Sequence, residues 1–70
     1  MERERVRSSN IRSVGYNPGD EILEVEFTNG GVYQYFSVSK QLYERFMAAT
    51  SKGRFFSTYI RDKFKTKKIR

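Results

Sequence analysis

The residues that could do chemistry in this chain are two carboxylates two positions apart, Glu24 and Glu26, a few hydroxyls, and a dense set of cations towards the C-terminus. Alternate residues of a strand share a face about 7 Å apart. Glu24 and Glu26 could therefore in principle form an acid–base pair or hold Mg²⁺. No pocket-forming sequence surrounds them, and a solvated strand face is the simpler expectation. Ser8-Ser9 and Ser57-Thr58 offer hydroxyls, but the chain has no histidine to activate them and no cysteine nucleophile. Gly30-Gly31 lacks the spacing and helix context of a phosphate-cradling loop. The sequence predicts no catalytic residue, no metal site and no cofactor: a binding module, not an enzyme.

The cations point to what it binds. The net charge of +6 is uneven: residues 1–50 carry six basic and seven acidic side chains, whereas residues 51–70 carry eight basic ones against Asp62 alone. Lys52, Arg54, Arg61, Lys65, Lys67, Lys68 and Arg70 form the candidate nucleic-acid-binding set. Such clusters take backbone phosphates by releasing counterions and need no base readout. RNA is the expected partner, and the plainer alternative is a solvated helix face and tail that keep a small domain soluble. Tyr33 and Tyr35 could stack bases as sheet aromatics do in single-strand RNA modules, but both are expected to be mainly structural.

Positioning these groups falls to the stretch Glu21 to Val38, EILEVEFTNGGVYQYFSV. Apolar and polar residues alternate on both sides of Asn29-Gly30, a strong hairpin signal because both turn positions tolerate positive φ. A two-residue loop would set Tyr33 and Tyr35 opposite Glu26 and Glu24. A three-residue loop with Gly31 left-handed would pair Thr28 with Val32 and put both tyrosines on the face of Leu23, Val25 and Phe27. One residue of slip exchanges the faces, and the second glycine favours the inward arrangement. Ile22, Val32, Phe36 and Val38 would then line an uncovered face. That patch gives a rival function, a protein-interaction or self-association module.

Upstream, Ser8 to Tyr16 reads as a first strand in which Gly15 signals a bulge or a close backbone approach. Asn17-Pro18-Gly19-Asp20 reads as a turn. Downstream, Ser39 caps a helix over about 40–49 and Ser51 a second over about 52–64. Phe55, Phe56, Tyr59 and Ile60 form the apolar arc of the second helix, opposite Arg54, Thr58, Arg61 and Lys65. The fold class expected is α+β: a three-stranded antiparallel meander followed by two helices packed on one face, in the order βββαα. Eleven aromatic side chains supply a core that 70 residues would otherwise struggle to build. No apolar run reaches the roughly 20 residues of a membrane span, and the absence of cysteine fits a cytoplasmic domain.

Taken in order, SSNIRSVGY, LEVEF, a glycine turn, YQY and SKGRFFSTYIR resemble the KTSC domain, a module of bacterial proteins that also occurs at the C-terminus of some lysyl-tRNA synthetases. The resemblance runs from about Ser8 to Lys65, with Tyr33-Gln34-Tyr35 at its tyrosine-x-tyrosine motif. Ser39 stands where members often have proline. The resemblance implies a single domain over residues 8–65; residues 1–7, alternating Glu and Arg without an apolar face, read as a flexible, solvated N-terminus, and residues 66–70 as a flexible basic tail. It also implies association with RNA or a tRNA-related complex through the synthetase link.

Overall fold

A computed structural model describes all 70 residues. Five antiparallel strands lie in sequence order, β1 (Glu4–Arg5), β2 (Ile11–Asn17), β3 (Ile22–Phe27), β4 (Val32–Tyr35) and β5 (Thr66–Lys68). Helices α1 (Lys40–Ala48) and α2 (Lys52–Tyr59) sit between β4 and β5 in the chain. The α+β class is as expected, but the sheet has five strands instead of three. Both ends that the sequence marked as flexible contribute a strand. Met1 to Arg7 has no apolar face to announce β1, and β5 is a run of exposed polar residues. β1 is held by pairing with β2, the next strand in the chain, and β5 by pairing with β4 across both helices.

The three central strands form because their alternation buries one face. Val14 lies opposite Val25 and Tyr16 opposite Leu23 on β2–β3, while Tyr33 lies opposite Val25 and Tyr35 opposite Leu23 on β3–β4. A bulge at Arg12 shifts the β2–β3 register between Ile11 and Ser13, so Ile11 and Val14 both reach the core. The Asn17 side chain accepts from the Gly19 and Asp20 amides at 3.0 and 3.2 Å and shapes the turn into β3. Gly15 marks a close approach: a Cβ there would lie 2.5 Å from the Glu2 carbonyl oxygen. The glycine leaves room for the N-terminal segment to cross the sheet.

The hairpin turn keeps the expected face but not the expected pairing. Glu26, not Thr28, lies opposite Val32, and the left-handed residue is Gly30 (φ 95°), not Gly31. The Phe27 amide donates to the Gly31 carbonyl and the Gly30 amide to the Phe27 carbonyl, at 2.8 and 2.9 Å, closing a turn over 28–30. A shift of two residues preserves the face of every side chain, so the tyrosines still point inward.

Both helices start where their caps predict. Ser39 Oγ accepts from the Leu42 amide and Ser51 Oγ from the Arg54 amide. Phe46, Phe56 and Ile60 are buried against Leu23, Val25, Tyr35 and Val38. The second helix ends at Tyr59 instead of continuing to about 64. Asp62 adopts a positive φ of 60°, and the chain turns back so that Phe64 packs on the core and β5 can pair with β4. Tyr59 consequently falls outside the core, 45% exposed, with the Arg45 guanidinium 5.1 Å from its ring centre.

The open apolar patch expected behind the sheet is absent. Val38 lies in the core beneath the helices, Ile22 and Phe36 are half-buried, and Val32 is buried, its backbone bonded to Ile69 and Arg70. The C-terminal strand β5 and the residues after it close over this edge.

Candidate nucleic-acid interface

Strand alternation sorts the predicted cations. Lys68 pairs with Tyr33 and Thr66 with Tyr35, so both share the tyrosine face; Lys67 pairs with Gln34 and shares the opposite face with Glu24. Lys65 lies just before β5, its carbonyl accepting from the Phe36 amide. Arg61, in the turn after α2, faces a cleft beside Tyr33 and Tyr35. These residues come together around β5. Lys52 and Arg54 do not join them: they lie at the start of α2 with Arg7 and Ser8, where the Lys52 ammonium donates to the Ala49 carbonyl.

Arg70 is drawn to the other face of the sheet. Its guanidinium meets Glu26 Oε2 at 3.2 Å and donates weakly to the Gly30 carbonyl at 3.4 Å. Glu26 also receives Ser13 Oγ at 2.8 Å, with Arg3 and Arg12 each 3.9 Å away. Glu24 pairs with Arg3 and accepts from Gln34 Nε2 at 2.8 Å. Far from being solvated, Glu24 is 6% exposed. Both carboxylates are occupied by the chain's own donors, which leaves neither free as an acid–base pair.

The Ser13 hydroxyl has the largest influence on the Glu26 carboxyl; burial opposes it, and Arg3, Arg12 and Arg70 add to it, so the carboxyl is held below its ordinary value of 4.5. A depressed carboxyl stabilises the fold above its unfolded pKa, and that contribution is lost as pH falls through the folded value. Thermal melts between pH 7 and pH 3 should therefore show stability dropping below about 4.5, and Glu26→Gln should flatten that acid limb.

The two tyrosines differ. Tyr35 is 5% exposed, with its ring edge-on to Phe56. Tyr33 is half-buried, edge-on to Phe27, with the Lys68 ammonium 6.0 Å from its ring centre. Tyr33 also lines a shallow groove that includes Lys68, Arg70 and Gly31. In this register Glu24 and Glu26 lie on the face opposite the tyrosines. Asn10, Phe27, Asn29 and Thr66 also line the Tyr33–Tyr35 cleft. Only the distant strand pairing brings them there, and no local motif marks them.

A small five-stranded α+β domain with an inward tyrosine pair and a basic C-terminal edge is a recognisable class. The KTSC domain model matches residues 7–64, and the chain belongs to the KTSC domain family. It is 45% identical to a crystal structure of a KTSC domain protein from Yersinia pestis, covering 99% of this chain and 97% of that one, with a TM-score of 0.96. It is 42% identical over 57 residues to an uncharacterised protein of Stutzerimonas stutzeri, covering 81% of this chain and 80% of that protein. A lysine–tRNA ligase of a Nostoc species is 34% identical over 59 residues, covering 84% of this chain but only 10% of the ligase. No helix is long and apolar enough to cross a membrane.

Proposed function

We propose that this domain is a non-enzymatic module that binds RNA through the basic surface around β5. The observation that carries this reading is the placement of Arg61 and Lys68 beside half-exposed Tyr33, on the face away from Glu24 and Glu26, with Lys65 just before β5. Phosphates near such a cluster displace condensed counterions without base readout. A related segment within a lysine–tRNA ligase supports RNA as the polyanion. Lys67, on the opposite face of β5, and Arg70, bound to Glu26, flank this cluster, and Lys52 and Arg54 offer a second, weaker contact area on α2.

The test is a titration of the labelled domain with short single-stranded and duplex RNA at roughly 50 and 200 mM salt, a range over which phosphate-driven binding must weaken. With about five phosphate contacts, log K against log salt should slope near −3.5 for single strands. Arg61→Gln with Lys68→Gln should reduce that slope by about 1.4 with little change in the melt. Charge substitution is cleaner than removing residues 67–70, because Val32 exchanges backbone hydrogen bonds with Ile69 and Arg70 and the truncation would open the sheet edge. Absence of amide shifts at low salt would refute RNA binding.

A further inference from the structure

The cleft between the β3–β4 hairpin and the end of α2 has a volume of about 490 Å³, within the range of small-ligand sites. Phe27, Tyr33 and Phe56 give it aromatic walls. Asn10, Asn29 and Thr66 bring polar side chains to it, and Arg61 with Asp62 lies along its border.

Tyr35 supplies the observation that points to a ligand. Its ring is in the core, yet no protein group within hydrogen-bond reach pairs with its hydroxyl, and that oxygen is not sealed from the cleft. A tyrosine this buried ordinarily finds a partner for its O–H. Here the hydroxyl faces a cleft that also offers a carboxylate and a guanidinium, from Asp62 and Arg61. An apolar occupant would leave these groups unpaired at a cost. A flat ring with alternating donors and acceptors at its edge satisfies walls and polar groups together.

Tyr33 connects this cleft to the basic groove. It lines both, with Lys68 and Arg70 on the groove side. The aromatic cleft and the Lys68 ammonium thus lie on two sides of one side chain, the arrangement a nucleotide needs for its base and its phosphate. We propose that the cleft takes the base of one unpaired RNA nucleotide, the Tyr35 hydroxyl donating to its edge, while the adjoining phosphate lies across Tyr33 on Lys68. This rests on the RNA reading above and adds a base-dependent contact to it.

The experiment compares the full chain binding three octamers: uridine RNA, adenosine RNA, and a ribose-phosphate strand without bases. Fluorescence anisotropy at roughly 50 mM salt keeps the phosphate contribution equal among them. At least one RNA should bind about tenfold tighter than the abasic strand, as one stacked base can supply. Tyr35→Phe, which keeps the ring, should weaken that RNA by about three- to tenfold and leave the abasic strand unchanged. Tyr33→Leu should bring RNA and abasic affinities together; circular dichroism and melting confirm that each variant folds. Equal binding of RNA and abasic strands would overturn the base cleft while leaving the phosphate-binding reading standing. Failure of all three to bind would overturn both.

Discussion

Tyr35→Ala is expected to leave much of this domain unfolded at room temperature, while Tyr35→Phe folds normally. The ring lies 5% exposed among Phe56, Leu23 and Phe46. Truncating a buried aromatic to alanine costs about 3–5 kcal/mol through lost transfer energy and the cavity left behind. A single core of this size rarely yields more than about 3–5 kcal/mol in total, so the loss is comparable to the whole stability. Urea unfolding followed by circular dichroism measures it. The phenol gives an independent alkaline signature. Burial, then the neighbouring Tyr33 and Asp62, pushes its pKa from 10.0 up to about 12, against a smaller lowering by Arg61. The folded state then favours the protonated phenol. Its stabilisation is complete below pH 10 and is lost as pH rises towards 12. Tyr35→Phe should remove that decline. A Tyr35→Ala variant that melted like the parent but lost RNA binding would make this side chain a contact residue and not a core one.

The same residue shows what local pattern can reveal. Period-two alternation left Tyr35 one of two faces and the second glycine of the turn favoured the inward one; that face survives a two-residue error in the register of the turn. Ser39 and Ser51 mark helix starts through short-range hydrogen bonds with the residues that follow, so they too are visible in a single stretch of chain. The second helix ended early for a reason outside that stretch. Its apolar spacing permits continuation to residue 64, but the left-handed turn at Asp62 returns the chain to pair with β4. That pairing joins residues more than 30 positions apart.

The candidate site was legible as an inventory of residues and not as a place. The sequence names Arg61, Lys65, Lys68 and Tyr33, because charge asymmetry and the tyrosine motif are local properties, and Arg61 and Lys68 do lie beside Tyr33. It treats Lys67 and Lys68 alike, whereas strand pairing sends them to opposite faces, one beside Gln34 and the other beside Tyr33. It gives Arg70 to a flexible tail, although Glu26 binds it 44 residues away. A lysine-rich segment without apolar alternation looks the same whether it is solvated or serves as an edge strand. Charged edge strands of this kind also discourage pairing with other chains.

Arg3→Ala should be the most damaging substitution outside the apolar core. Glu24 sits in the middle strand and is 6% exposed, held by Arg3 on one oxygen and Gln34 on the other. Arg3 also donates through Nε to Ser13 Oγ at 3.0 Å, and Ser13 in turn holds Glu26. Removing the guanidinium strands a largely desolvated carboxylate, at a cost of roughly 3 kcal/mol; the Arg3 side chain keeps 25% exposure, which places the loss at the low end for buried pairs. The double variant Arg3→Met with Glu24→Met should recover most of that loss, since exchanging a buried pair for apolar groups of similar volume is often neutral or better. Urea midpoints of the two single variants and the double variant decide the matter. A loss below about 0.5 kcal/mol for Arg3→Ala would class the pair with ordinary surface bridges. The larger loss would mean that the N-terminal segment, read from sequence as a solvated end, neutralises the acidic middle of the sheet. Lys67 shares that face, beside Gln34 and the bound Glu24. The same arginine would thereby limit the acidic field that a phosphate chain meets at the β5 edge, giving Arg3→Ala a second readout: weaker RNA binding at low salt, in any condition where the variant remains folded.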